Sequence, residues 1–323
     1  MEEHMYSAKF LTAAFLAIAP LGLSAQQYPV KPVRIVTAEP GGGNEFAARV
    51  MAQGLTPVLG QQVVVESRGG ASGALAAQAV SRAAPDGYTL LIYSSAFWVV
   101  PLLKDVQWDT LRDFQPISIL ASAPNVLVVH PSLPVKNVGE LLKLARSRPG
   151  DLNYSTGGSG AAAHLAAELF KSLGKVKITR ITYKGTGPGL NALMAGEVQV
   201  MFPAAGSVMM HVKGGRLKAL AVTGPQRTEI APDLPTIAAS GLPGYEAVSV
   251  YGLFAPAKTP AALVQRIYQE SVKVLRQADT KERFFNAGVE TVGASPDDFT
   301  AYIKTDIVRW DKVIREAGIR EEQ

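Results

Sequence analysis

The sequence predicts an α/β fold built as two lobes joined by a two-strand hinge. Strand-like and helix-like stretches alternate through most of the chain, the pattern of parallel sheets wound with helices. A short apolar strand, a glycine-rich loop and the first turn of a helix follow one another at 34–49, and the same device returns at 152–165, which indicates two similar halves. Strands near Asn125 and near Ser249 stand where the chain would pass from one half to the other and back. Lobes joined in this way close around ligands. The alternative arrangement of the same elements is one continuous doubly wound domain.

Taken in order, 33–37 is a buried-type strand and 45–59 a helix, with Phe46, Val50, Met51 and Leu55 at helical spacing. The next strand is 63–66. After Arg68 to Gly73 comes an alanine-rich helix that ends near Ala84, where Pro85-Asp86-Gly87 makes a tight turn. A third strand, 90–93, carries Ser94, Ser95 and Ala96 at its carboxyl end, the side on which open α/β sheets bind ligands. Strands at 116–120 and 126–130 follow, then a helix at 138–148, the second glycine loop, a helix to Leu173 and a strand at 178–182. Tyr183-Lys184-Gly185-Thr186-Gly187-Pro188-Gly189 precedes another helix, 198–202 is a strand ending at Pro203-Ala204-Ala205-Gly206, and 217–222 is the last strand of this half. The proline- and glycine-rich 232–244 reads as an ordered surface connection. The strand 248–254 returns to the first lobe, and helices at 260–276, 280–286 and 296–317 complete it. The expected division is therefore 26–124 with 249–323 as one lobe and 125–248 as the other.

The two loops suggest what the lobes hold. Gly41, Gly42 and Gly43 let the backbone approach a ligand closely, and the helix that follows offers unpaired N–H groups with a partial positive charge. That combination favours a carboxylate, a phosphate or another anion.

Composition sets further bounds. The chain has 323 residues, a net charge of +5 and 47% apolar residues, enough for a large core. It has no cysteine, which excludes structural disulfides, thiol catalysis and a lipid-attached cysteine. Lysines and arginines are scattered, with no nucleic-acid-binding motif, so no nucleic-acid partner is expected. An apolar run from Phe10 to Leu23, preceded by Lys9 and closed by Leu23-Ser24-Ala25, reads as a cleaved signal peptide over 1–25. Glu2 and Glu3 suit its basic start poorly, so translation begins at either Met1 or Met5.

Several motifs then fall into one known pattern. Gly41-Gly42-Gly43 followed by Ala48-Arg49, the run from Ala84 to Leu91, and Leu152-Asn153-Tyr154 leading into Gly158-Ser159-Gly160 and His164 are its first pieces. Tyr183-Lys184-Gly185, the run from Leu217 to Thr223, and Gly252-Leu253-Phe254-Ala255-Pro256 complete it. Together, over 28–319, they resemble the substrate-binding proteins of tripartite tricarboxylate transporters, also called Bordetella uptake gene (Bug) type receptors. The resemblance implies a monomeric periplasmic receptor of the type II periplasmic-binding-protein, or Venus-flytrap, fold, without cofactor. It would close on a small organic ligand, often a carboxylate, and hand it to a permease of a large and a small membrane subunit. Carried over by position, the first loop's ligand residues are Glu39, Gly41, Gly42, Gly43 and Asn44, with Ser94, Ser95 and Ala96 on the same wall. Opposite them stand Thr156, Gly158, Ser159, Gly160 and His164, with Tyr183, Lys184, Gly185, Pro203 and Ala204 beside them.

The chain departs from that pattern at several places. Asn44 and Glu45 stand where relatives commonly carry Thr-Asp, Pro203 where Asp is frequent, and Val250 where Trp is common, which points to a roomier wall. Glu39 occupies an ordinarily uncharged position. Facing a ligand carboxylate at ~4 Å it would cost ~4 kcal/mol at an effective dielectric of ~20. An amino acid or nitrogen-containing acid therefore fits better than a plain diacid; the other reading has Glu39 facing solvent or a basic neighbour.

Two further functions use the same residues. A ligand-presenting partner of a sensor kinase would have the same pocket. An exported enzyme would need a catalytic set: Ser72 and Ser159 each sit one residue short of a nucleophile elbow, and only His130, His164 and His211 follow the signal peptide. His164 and Glu168 at i, i+4 are two metal ligands without a third.

Overall fold

The computed structural model describes residues 28–38, 43–69, 73–157 and 161–319. The signal segment 1–25 and the loop residues Glu39, Gly41, Gly42, Gly158, Ser159 and Gly160 lie outside the described residues.

The first part of the chain runs β1 (Val33–Thr37), α1 (Gly43–Leu59), β2 (Val63–Ser67), α2 (Ala74–Ser81), β3 (Thr89–Ser94), α3 (Ala96–Val99) and β4 (Phe114–Pro124). There follow β5 (Val126–Val129), α4 (Val138–Ser147), β6 (Asn153–Thr156), α5 (Ala162–Gly174), β7 (Thr179–Thr182), α6 (Thr186–Ala195), β8 (Val200–Met201), α7 (Ala205–Lys213) and β9 (Lys218–Val222). The chain closes with β10 (Val248–Pro256), α8 (Ala261–Arg276), α9 (Ala278–Asn286), β11 (Glu290–Thr291) and α10 (Pro296–Ala317).

These strands form two sheets, one of six strands in the order β11-β4-β10-β3-β1-β2 and one of five in the order β7-β6-β8-β5-β9. Strands buried on both faces read as continuous apolar runs, and β1 shows why. Val33 and Ile35 enter the core beneath α1 and α8, whereas Val36 enters the opposite one beside Phe97 and Trp98. The second sheet is sandwiched similarly, with Val126 and Val128 packed beside residues of α6 and α7 and Leu127 and Val129 in the cluster that holds α4 and α5 residues.

The hinge is the antiparallel pair β4 and β10, which runs from Val248 opposite Pro124 to Pro256 opposite Phe114 with register shifts between Tyr251 and Gly252 and between Leu253 and Phe254. The chain leaves the first sheet at Asn125 and regains it at Val248. Thr223, fully buried just after β9, ties both crossings. Its hydroxyl donates to the Asn125 carbonyl at 3.0 Å and accepts the Asn125 N–H at 2.9 Å, and its own carbonyl accepts the Ala247 N–H at 3.0 Å.

Four local expectations need correction. The helix after Tyr183 starts at Thr186, inside the glycine-rich run, and its Gly189 lies close against Ser155. Helix α7 is unforeseen: only Ala205 and Val208 are buried along it, too few for a period. The short α3 and β11 carry no periodic signal at all. Finally, 232–244 is more than a surface connection, since Ile237 and Leu242 are buried and Thr236 bridges Val222 as an extra parallel contact.

Candidate ligand-binding site

In the first sheet β1 and β3 run parallel, so Thr37 and Ser94 end on the same edge. Gly43 is the first residue of α1, and a Cβ there would overlap the hydroxyl of Tyr251. Gly43 is thus required by the close approach of an aromatic ring from β10. Beside it the Oδ1 of Asn44 is buried without a hydrogen-bond partner. Ser94 pairs with Tyr251 across the sheet, Ser95 donates its N–H to the Val250 carbonyl at 2.9 Å, and Ala96 opens α3. Ser94, Ser95 and Ala96 are all half-buried.

Glu45 has a different role from the residues next to it. Its carboxylate, in the first turn of α1, accepts from Arg49 Nε at 3.0 Å, Arg49 Nη2 at 2.6 Å and Ser67 Oγ at 3.1 Å. An acidic group there complements the helix dipole and ties the ends of β2 and α1 together.

In the second sheet β6 runs parallel to β7 and β8, so the expected second-lobe residues again share one edge. Thr156 is fully buried with its Oγ1 unpartnered, and its carbonyl accepts the Tyr183 N–H at 2.9 Å. Gly185 turns the chain with a φ of 105° into α6, a conformation that side chains resist. Tyr183 is half-buried and Lys184 exposed. Pro203 is buried and gives its carbonyl to Val126 N at 2.8 Å, while Ala204 is exposed and bridges Asn125. The two groups of residues therefore flank the hinge from opposite sheets, one tied to Val250 and the other to Asn125.

His164 lies in the first turn of α5 and is buried. It is 2% exposed, and its Nε2 lies 3.9 Å from Glu168 Oε1. That carboxylate also accepts from Tyr154 Oη at 2.6 Å and from Lys171 Nζ at 2.6 and 2.8 Å. Burial, helped by the positive charge of Arg180, pushes the imidazole down to about 4 against the Glu168 carboxylate. His164 is therefore neutral at neutral pH and contributes hydrogen bonding rather than charge. Since the unfolded chain takes up this proton below about pH 6.5 and the folded chain only near 4, stability should rise with pH across that window and level off above it. Urea midpoints measured from pH 4.5 to 7 should show a shallower slope in His164→Gln; an unchanged slope would assign the pH dependence to other groups.

The model of the tripartite tricarboxylate transporter family receptor, TctC, matches residues 47–319. The chain belongs to this family. Its TctC relatives include BugT of Bordetella pertussis, 33% identical over 98% of this chain and 99% of that protein. Among solved structures, Rpa4515 of R. palustris with adipate is 34% identical, covers 91% of this chain and 99% of the other, and superposes with a TM-score of 0.76. MatC of Rhodopseudomonas palustris with bound malate is 30% identical, with coverages of 89% and 100% and a TM-score of 0.72. TctC proteins are periplasmic solute-binding receptors, not enzymes, with a two-lobed fold.

Tyr251 is an aromatic beside a strand end for which the sequence leaves pocket lining and core packing both open, and the structure sets its hydroxyl against Gly43. The signal was present in the alternation of β10: Tyr251, Leu253 and Ala255 face the α1 side, whereas Val250 and Phe254 face the other. Val250 itself is buried at 3% exposure on that other face.

Proposed function

We propose that this TctC receptor captures a small organic acid between a first lobe of 26–124 with 249–323 and a second lobe of 125–248. It leaves the cytoplasm by the signal peptide at 1–25, works as a monomer, and hands the ligand to the large and small subunits of a membrane permease. The observation that carries the reading is the pair of unpartnered polar atoms at the two sheet edges, Asn44 Oδ1 and Thr156 Oγ1. Buried groups of this kind are ordinarily hydrogen-bonded, and a ligand supplies what is missing. The Thr156 hydroxyl donates to a carboxylate oxygen, and the Asn44 oxygen accepts from an N–H or O–H. The ligand set is Glu39, Gly41 to Asn44, Ser94 to Ala96, Thr156, Gly158 to Gly160, His164, Tyr183 to Gly185, and Pro203 with Ala204. The adipate and malate bound by relatives support an acid. Glu39 narrows the class to an amino acid or a nitrogen-containing acid, because it disfavours a second carboxylate.

A thermal-shift screen of protein stripped of copurified ligand by unfolding and refolding tests this. A ligand selective for the folded state raises Tm by mass action. We expect the largest shift from an amino acid or nitrogen-containing acid, and Glu39→Gln should extend binding to adipate and malate. Unchanged selectivity in Glu39→Gln removes the role of Glu39. Absence of a shift with every acid overturns the proposed ligand class.

A further inference from the structure

Away from the hinge strands the two lobes meet again, where β11 and the turn before it reach the N-terminus of α7 and the segment after β9. Glu290 belongs to the first sheet, paired with Ser122 of β4. Its Oε1 accepts the Thr228 hydroxyl at 2.5 Å and the Glu229 N–H at 3.1 Å. Thr228 and Glu229 belong to the second lobe, because the segment they open packs Ile230, Ala231 and Leu234 into the core of that sheet.

The second part of the contact is backbone on backbone. Gly206 lies in the first turn of α7, and Gly288 follows α9 with a φ of 73°. A Cβ on Gly206 would overlap the carbonyl oxygen of Ala287, and one on Gly288 would overlap N and Cα of Gly206. Phe284, near the end of α9, meets Phe46 of α1 edge to face at 5.7 Å, so the first-lobe side of this contact is anchored to the helix that starts at Gly43.

We infer that Glu290 is an interlobe latch and that the contact between Gly206 and Gly288 is the stop against which the lobes close. One carboxylate oxygen that accepts two donors from the other lobe is satisfied in one relative placement of the lobes and not in a wider one. The latch can also release, because an open groove of ≈ 600 Å³ lined by Arg227, Lys281, Phe285 and Glu290 brings water to the carboxylate. The two glycines set the limit of approach, since any side chain at either position holds the lobes apart. This device acts on lobe placement and is independent of which acid binds.

The absence of cysteine allows spin labels at two introduced positions, Leu75→Cys on α2 and Met210→Cys on α7, both exposed. Distances between them, measured by pulsed electron resonance on the ligand-free full chain, test the latch. Glu290→Ala should shift the ratio of latched to wider conformers about tenfold, the effect of losing one to two modest hydrogen bonds. Glu290→Gln keeps an acceptor oxygen and should stay close to the parent. Gly206→Val should move the mean distance outward with Glu290 intact. A Glu290→Ala distribution that superimposes on the parent overturns the proposal. Should that variant not fold, Thr228→Val, which removes the hydroxyl donor and leaves Glu290 and the Glu229 N–H in place, must show a smaller outward shift or the latch is refuted. No ligand enters the measurement, so a failed ligand screen and a failed latch remain distinct.

Discussion

Replacing Asp306 by alanine should lower stability by about 3–5 kcal/mol, the range for breaking one partner out of a buried ionic network. Asp306 is on α10 and 2% exposed. Its Oδ2 accepts the indole N–H of Trp98 at 2.7 Å, and its Oδ1 meets Arg309, which reaches Glu246 Oε2 at 3.0 Å. Burial raises the Asp306 carboxyl, while the Arg309 charge and the two hydrogen bonds pull it down. Alanine removes the carboxylate that accepts the Trp98 N–H, in a buried cluster with Phe254, Phe299 and Tyr302, and costs Arg309 one of its two anions. The damage should reach the proposed site, because Trp98 lies in α3 two residues after Ala96 and Glu246 lies two residues before the return to the first sheet at Val248. Asp306→Asn keeps an acceptor for Trp98 and should lose less. Urea unfolding followed by far-UV circular dichroism measures both; a loss below about 1 kcal/mol in Asp306→Ala would show that the network is nearly neutral in net energy.

Gly252→Val is the second large effect, expected at about 3 kcal/mol or more, at the upper end of overpacking costs. A Cβ on Gly252 would overlap Cζ of Phe299 and lie 2.9 Å from Cε2 of Phe254. Neither ring can yield: both are fully buried, with centroids 5.0 Å apart and Trp98 packed on each. The Gly-Leu-Phe run in β10 thus has a packing cause, which is to let α10 lie close on the hinge strand. Gly252→Ala combined with Phe299→Leu should recover part of the loss. Strict additivity of the two changes would contradict the proposed contact.

Much of the fold was legible because its signals are local. The β1 strand at 33–37 and the α10 helix at 296–317 stand where the apolar pattern places them, and the passages between sheets fall beside Asn125 and Ser249. Ser295 caps α10 by accepting from Asp298 N, a device readable from four residues. Of the candidate site, the placement of Ser94 and Thr156 at strand ends was legible, since each closes a short strand-like stretch. Tyr251 over Gly43 was not, because the two are far apart in the chain and meet only through the position of β10 beside β3.

The sequence by itself determined the α/β class, the two glycine loops, the absence of cysteine chemistry and the family pattern. These rest on periods of two and 3.6 residues, on turn chemistry and on composition, all of which act over a few neighbouring residues. Only the tertiary structure decided that Thr223 ties both hinge crossings, that Asp306 serves Trp98 from 208 residues away, that Glu290 meets Thr228 across the lobes, and that His164 is held neutral. Each of these depends on strand order, helix placement or desolvation, which arise when distant segments share one core and which no local pattern encodes.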